Sequence, residues 1–72
     1  MEKISITTPY ITLGQLIKLT NIFESGGTIK TYLKEHGVFV NGEKEHRRGR
    51  KLYSKDVVEI NDYGTFIVEQ QL

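Results

Sequence analysis

The sequence contains no cysteine, only one proline, and no long apolar run. Without cysteine the chain cannot form disulfides, thiolate zinc sites or cysteine nucleophiles, and a reducing compartment is its expected location. No apolar run approaches the roughly 18 residues that a membrane-crossing helix needs, and the N-terminus lacks the pattern of a signal peptide. These absences predict a cytoplasmic protein without a membrane partner.

The composition is that of a folded soluble domain, with 38% hydrophobic residues, 26% charged residues and seven glycines. A length of 72 residues leaves room for one domain, so we expect a single domain over residues 1–72. A domain of this size buries only about 60% of the surface that its unfolded chain exposes, which predicts a small core and modest stability.

The charge is unevenly distributed along the chain, although the net charge is only +1. Seven of the ten basic residues lie within residues 30–51, and the segment Arg47–Lys51 contains no acidic residue. Three of its residues are arginines, which bind phosphate or carboxylate groups in a planar, bidentate manner. The segment therefore indicates either an anion-binding loop or, as most charge runs do, a solvated loop.

Two helices are predicted in the first half of the chain, after an N-terminal strand that carries Ile4 and Ile6 on one face. The first helix begins at Thr12, whose hydroxyl is a suitable N-cap. Residues 25–28 form a break with several possible caps. The apolar positions predicted for the two helices are Leu13, Leu16, Ile17 and Leu19 or Thr20 in the first, and Ile29, Tyr32 and Leu33 in the second.

The second half of the chain has the two-residue periodicity of strands. Val38–Val40 is followed by Asn41-Gly42, which favours a type I′ hairpin turn, and the return strand begins at Glu43. The basic segment follows as a loop, and further strands are predicted around residues 51–53, 57–60 and 65–69. The predicted fold class is α+β, with two short helices on a small twisted antiparallel sheet and an extra N-terminal strand.

An ordered set of motifs resembles a known family. The four motifs of the set are Thr12-Leu13-x-x-x-Ile17-Lys18, Ser25-Gly26-Gly27-x-Ile29-Lys30-x-x-Leu33, Val38-x-Val40-Asn41-Gly42 and Lys55-Asp56-Val57-Val58-Glu59-Ile60. This set is similar to the S4 RNA-binding domain, or alpha-L motif, and most of all to its small stand-alone bacterial members. The resemblance covers about residues 12–60. It implies the same α+β fold and non-catalytic binding of structured RNA, either ribosomal RNA or a ribosome assembly intermediate.

The chain departs from the usual family pattern at three places. Thr12-Leu13-Gly14 stands where Arg-Leu-Asp is common, Ser25-Gly26-Gly27 replaces basic residues, and His36 stands where a helix-ending glycine is usual. Lys18 and Lys30 match the pattern. The arginine-rich segment is expected to supply the cations that are missing elsewhere.

The predicted RNA-binding residues combine the resemblance with the charge pattern. Gly26-Gly27 either brings backbone N–H groups close to a phosphate or is a flexible connection with positive φ angles. Tyr53 and Phe39 are considered for contact with a base, with packing in the core or at the sheet edge the favoured alternative for both. Phe23, Tyr32 and Phe66 are expected in the core. The predicted RNA-binding residues are Lys18, Gly26, Gly27, Thr28, Lys30, Lys34, Lys44, Arg47, Arg48, Arg50, Lys51 and Tyr53.

No catalytic, metal or cofactor site is predicted. His36 and His46 are ten residues apart and make a poor metal site without cysteine, so we expect both at the surface, with His46 adding to the basic patch. Glu43 and Glu45 share one strand face. A role in solubility or as an arginine partner is favoured over an acid/base pair.

The expected partners are structured RNA, with ribosomal RNA favoured, and ribosomal particles, and the protein is expected to be a monomer. The alternative is a protein-interaction adaptor whose arginine-rich segment docks on an acidic protein. Removal of co-purifying nucleic acid by an RNA-specific nuclease distinguishes the two hypotheses.

Overall fold

The structure is a computed structural model that describes residues 1–71. Neither helix in this range is long and apolar enough to cross a membrane. The helices and strands of the described range, in chain order, are β1 (Glu2–Ile6), β2 (Ile11–Thr12), α1 (Leu13–Leu19), α2 (Gly26–Glu35), β3 (Val38–Val40), β4 (Glu43–Glu45), β5 (Lys51–Leu52), β6 (Val57–Ile60) and β7 (Gly64–Gln70).

The two helices pack on a five-stranded sheet with the strand order β1-β7-β6-β3-β4, which confirms the predicted α+β fold. Three of its strand pairs are antiparallel, and β1 joins the edge parallel to β7, with Ile4 opposite Val68. A second, two-stranded sheet pairs β2 with β5 and sets Ile11 opposite Leu52. The parallel pairing and the second sheet were not predicted, since both join segments that are distant in the chain.

The first helix begins where its capping residues predict. The backbone N–H of Gln15 donates to Oγ1 of Thr12 at 3.3 Å, and the N–H of Thr12 donates to Oε1 of Gln15 at 3.1 Å. This reciprocal pair satisfies two N–H groups that would otherwise lack partners at the helix start. Of the two residues considered for the last apolar position, Leu19 is 55% exposed and Thr20 is partly buried.

The second helix begins earlier than predicted. Ser25 is its N-cap and accepts a hydrogen bond from the N–H of Thr28, so Gly26 and Gly27 form the first helical turn. Neither glycine has a positive φ angle. The interpretation of Gly26-Gly27 as a connection with positive φ is therefore wrong, because the hydroxyl cap of Ser25 stabilises a helical turn even with two glycines in it.

The predicted hairpin turn is confirmed. Asn41 and Gly42 have φ angles of 51° and 84°, as a type I′ turn requires. The Asn41 side chain also donates to Oδ1 of Asp56 at 3.1 Å and accepts from the N–H of Val57 at 2.9 Å. These bonds join the hairpin to the start of β6.

The core lies between the helices and the inner face of the large sheet. Each fully buried aliphatic side chain in it contributes roughly 1.5–3 kcal/mol. Phe66 is buried as predicted, and Phe23 and Tyr32 are half-buried against the core. The opposite sheet face, which includes Phe39, is not covered by the helices. The buried core residues are Ile4, Ile6, Ile11, Leu13, Leu16, Ile17, Ile29, Leu33, Val38, Val40, Leu52, Val58, Ile60, Phe66 and Val68.

Candidate functional site

The arginine loop, residues 46–50, joins β4 to β5 and is held against the start of α1. The backbone N–H of Leu13 donates to the carbonyl of Arg50 at 2.8 Å, and that of Gly14 donates to the carbonyl of Arg48 at 2.9 Å. First-turn N–H groups of a helix have no partner inside the helix. Here two of them fix the loop, so its backbone has a defined position.

A histidine attaches the same loop to the end of α2. Nδ1 of His46 lies 2.6 Å from the carbonyl oxygen of Leu33. A carbonyl oxygen only accepts, so Nδ1 carries the proton in this bond. The His46 residue is exposed, as predicted, but it also fixes the loop in place.

Glu45, at the end of β4, holds two arginines of the loop. It is only 6% exposed. Its carboxylate accepts from Nε and Nη2 of Arg47 at 3.1 and 3.0 Å and from Nη1 of Arg50 at 2.9 Å. The backbone N–H groups of His46 and Arg47 donate to the same carboxylate, both at 3.1 Å. An arginine partner was one of the roles predicted for Glu45, whereas Glu43 is exposed.

These hydrogen bonds determine the ionisation of Glu45. The side-chain hydrogen bond from Arg47 is the largest cause that holds the pKa of Glu45 well below its usual range. Burial opposes this effect, and the bonds from Arg50 and the Arg47 backbone reinforce it. Glu45 therefore stays charged and offsets one of the two positive charges beside it.

Arg48 instead borders a cavity between the helices, which we name the interhelix groove. Its volume is about 370 Å³. Of the predicted residues, the structure brings Lys18, Gly26 and Arg48 together here. Thr12 and Gln15 were not predicted as site residues, although their capping spacing marks the start of α1. The full lining is Thr12, Gly14, Gln15, Lys18, Gly26, Ile29, Arg48 and Gly49.

The close approach of Arg48 to α1 depends on Gly14. A Cβ atom at position 14 would lie 2.5 Å from Cγ of Arg48, which is too close for two carbon atoms. In the sequence, Gly14 belongs to the segment Thr12-Leu13-Gly14, which departs from the family pattern. In the structure, its missing side chain leaves space for an arginine from another part of the chain.

One side of α2 extends the basic surface. Gly26, Lys30 and Lys34 follow each other at four-residue spacing, which places them along the same side of the helix. Gly27 and Thr28 face elsewhere, since they line a different cavity with Phe23 and Tyr32. The predicted Gly26–Thr28 cluster is thus divided between two surfaces.

Three further predicted residues lie outside the interhelix groove. Lys51 places its Nζ 4.8 Å from the centre of the Tyr10 ring, and the ring of Tyr53 lies 6.0 Å from that of Tyr10. Lys44 lies on the outer sheet face with its Nζ 4.8 Å from the centre of the Phe39 ring. Lys44 lines a cavity with Phe39 and Tyr63 and not the interhelix groove, although it precedes the arginine loop by two residues.

The cations at the site differ in their partners. In residues 1–71, the basic side chains that have a carboxylate within 4 Å are those of Lys3, His36, Arg47 and Arg50. The charges of the other site cations are not offset by a carboxylate at that distance in the described range, which suits this surface to anions such as phosphates. These residues are Lys18, Lys30, Lys34, Arg48 and Lys51. The described range also contains no group of three His, Cys, Asp or Glu side chains that could hold a metal ion.

Comparison with known proteins identifies the family. The family model of the S4 domain matches residues 4–69. A relative from Bacillus subtilis (strain 168), a probable ribosome maturation protein called RlbA, is 57% identical over 65 residues, which cover 90% of this chain and 92% of the relative. No solved structure matches the chain. Because the family model covers nearly the whole sequence, the chain belongs to the S4 domain family.

Proposed function

We propose that this chain binds structured RNA without chemical turnover and acts in ribosome maturation, on ribosomal RNA or an assembly intermediate. Membership of the S4 domain family supports the RNA-binding part. The name of the Bacillus subtilis relative, a probable ribosome maturation protein, supports the ribosomal part. The observation that carries the proposal is the interhelix groove, which Lys18 and Arg48 both line, and neither of them has a carboxylate within 4 Å in residues 1–71.

The arrangement of the cations suits a folded RNA. Lys30 and Lys34 follow Gly26 along α2, so the basic surface continues from the groove over about two helical turns. Double-helical RNA is recognised mainly through phosphates and 2′-hydroxyl groups on a wide, shallow surface. A row of cations beside a shallow groove fits that ligand.

The rigidity of the arginine loop favours binding. Its backbone is fixed at α1, its histidine bonds to α2, and its arginines 47 and 50 bond to Glu45. A loop that is ordered before binding loses less conformational entropy when the ligand arrives. The loop backbone therefore places Arg48 beside the interhelix groove before RNA binds.

The opposite side of the molecule carries acidic residues. Glu59 and Glu69 alternate with the buried residues of β6 and β7, which puts them on the outer sheet face, away from the helices. Lys3 and Lys44 share this face, and Lys3 pairs with Glu69 at 3.6 Å, so positive and negative charges offset each other there. The cations on the helix side are therefore the ones that attract a polyanion.

Salt dependence provides the first test, with a labelled RNA hairpin and fluorescence anisotropy at 50–200 mM KCl. If the surface neutralises about four phosphates, log K falls against log[salt] with a slope of about −3 to −4, a loss of about a hundredfold over this range. The double variant Lys18→Ala/Arg48→Ala is expected to reduce the magnitude of the slope by about 2. Hairpins of unrelated sequence should respond alike, because phosphate contacts do not specify sequence.

The matched control is Lys3→Ala/Lys55→Ala, which removes the same charge away from the groove. We expect it to retain most of the wild-type affinity and slope. Equal losses in the two double variants would mean that net charge alone drives binding, and the groove would be rejected. Wild-type protein that binds no hairpin, or binds a DNA duplex equally well, would favour the adaptor hypothesis.

Sedimentation of a cell lysate through a sucrose gradient tests the ribosomal part separately. We expect the protein to migrate with ribosomal particles at low salt and to leave them as the salt concentration rises. Protein that stays with the free proteins at every salt concentration would reject a ribosomal role, even if hairpin binding is observed.

A further inference from the structure

A second cavity adjoins the interhelix groove and has a different chemical character. We name it the tyrosine groove, and its volume is about 720 Å³, within the range of roughly 300–1,000 Å³ typical of small-molecule sites. Its walls include Pro9, Tyr10, Ile11 and Leu19, and it shares Lys18 and Gln15 with the interhelix groove. An apolar cavity thus continues directly from a basic one.

The aromatic residue that lines this cavity is Tyr10, and a second tyrosine, Tyr53, lies beside it outside the lining. Tyr10 is 39% exposed and Tyr53 is 50% exposed, and their rings lie 6.0 Å apart across the small sheet. Leu19 on the facing helix is 55% exposed, although it belongs to a helix whose other leucines are fully buried. An exposed apolar patch with a polar rim is typical of a binding surface.

A contrasting cluster lies elsewhere in the molecule. Tyr63 is 52% exposed, but its ring packs 5.5 Å from Phe23 and 6.2 Å from Tyr32, beside the core. That cluster joins the segment after α1 to the turn before β7. Tyr10 and Tyr53 contact each other beside cations instead, as the 4.8 Å distance from Lys51 to the Tyr10 ring indicates.

We propose that the tyrosine groove binds an unpaired nucleotide whose base stacks on Tyr10, next to a duplex held at the interhelix groove. This inference rests on the proposed RNA binding and specifies its ligand as a junction of a helix and a single strand. Bases stack on aromatic side chains regardless of sequence, and nearby cations hold the backbone. Lys18, which borders both grooves, and Lys51 are positioned for the phosphates on either side of that base.

The lining favours a nucleotide over an apolar peptide segment. None of the seven residues that line the groove is acidic, and a cation lies at its border with the interhelix groove. A purely apolar partner would leave Lys18 without an anion, whereas a nucleotide supplies both an apolar ring and a charge.

The test compares three hairpins with the same duplex: one blunt, one with a 3′ overhang and one with a 5′ overhang, each overhang carrying 2-aminopurine. We expect the wild-type protein to bind one overhang form about tenfold more tightly than the blunt form, with quenched 2-aminopurine fluorescence from stacking. Tyr10→Ala should abolish both the preference and the quenching. Tyr10→Phe should retain both, because stacking needs the ring and not the hydroxyl.

Tyr63→Ala is the matched control, since it removes another exposed tyrosine, from the contrasting cluster, and it should retain the overhang preference. Equal wild-type affinity for all three hairpins, without quenching, would overturn the inference while leaving hairpin binding intact. Failure to bind any hairpin would reject the proposed function itself. If Tyr10→Ala fails to fold by circular dichroism, Leu19→Ser replaces it and should weaken the preference; an unchanged preference in Leu19→Ser would also overturn the inference.

Discussion

Arg47 and Arg48 are neighbours in the chain but occupy different environments. Arg47 donates two side-chain hydrogen bonds to the buried carboxylate of Glu45, whereas Arg48 lies over Gly14 and borders the interhelix groove. Arg50 shares the first environment through its own bond to Glu45. Cations in one sequence run therefore divide between loop structure and an open surface, and their variants should behave differently.

The largest effect is expected for Glu45→Ala. This change removes the acceptor of two arginines and of two backbone N–H groups. Breaking a buried ion pair costs 3–5 kcal/mol, and the arginine partners here reach solvent, so we expect a loss of about 2–3 kcal/mol. At about 4–8 °C per kcal/mol, the melting temperature followed by circular dichroism should fall by at least 8 °C.

Glu43→Ala is the control for that prediction, because Glu43 lies two residues earlier on the same strand and is exposed. Its melting temperature should stay within about 2 °C of the wild type, since surface changes usually cost less than 0.5 kcal/mol. Similar melting temperatures for the two variants would show that Glu45 does not hold the loop.

The second prediction concerns RNA affinity. Arg48→Ala should weaken hairpin binding about tenfold and reduce the magnitude of the salt slope by about 1, with little change in melting temperature. Arg47→Ala removes the same charge but leaves Glu45 with fewer partners. We expect it to lower the melting temperature and to change the slope less than Arg48→Ala. If anisotropy titrations showed a larger change in the salt slope for Arg47→Ala than for Arg48→Ala, the RNA contact would belong to Arg47.

The elements that could be predicted from sequence are those with local causes. Thr12 caps α1 through a residue three positions later, and Asn41-Gly42 forms its turn within the hairpin itself. The family motifs include Lys18, which the structure places at the interhelix groove. Such features need no knowledge of distant contacts.

The missed features depend on contacts between distant segments. Tyr10 joins Lys51 and Tyr53 only because β2 pairs with β5. The role of Gly14 appears only when the arginine loop is placed on α1. The arginine partner of Glu45 was among the predicted roles, but its burial was not predicted, although Glu45 pairs with Val38 across the hairpin and precedes an arginine run. A carboxylate at an inward position beside arginines indicates a buried ion pair.

A third prediction uses pH. The pKa of Glu45 is lowered in the folded protein by its bonds to Arg47 and Arg50 and stays near 4.3 in the unfolded chain. Its contribution to stability is therefore complete above about pH 5 and is lost as the pH falls towards the folded pKa. Between pH 5 and 3.5 we expect a loss of about 1 kcal/mol from this residue, measured as a shift in the urea midpoint.

Glu45→Gln isolates that contribution, because glutamine has the same shape and no titrating proton. The variant should be less stable than the wild type at pH 7, and the difference should shrink at pH 3.5. The other carboxylates titrate in both proteins, so their contributions to the free energy of unfolding cancel in the difference. If the stability difference between the wild type and Glu45→Gln were the same at pH 7 and pH 3.5, groups other than Glu45 would cause the loss of stability in acid.

The smallest effect is expected for Gly14→Ala, which moves Arg48 without removing its charge. The new Cβ would lie 2.5 Å from Cγ of Arg48, so that side chain must shift away from α1. Hairpin affinity should fall about threefold, less than the roughly tenfold effect expected for removing one phosphate contact. Gly49→Ala is the matched control, because Gly49 lines the same groove and a Cβ there meets nothing within 4 Å. In an Arg48→Ala background, Gly14→Ala should have no further effect on affinity, since residues that act through one contact are not additive. An independent threefold loss in that background would mean that position 14 contacts the RNA directly.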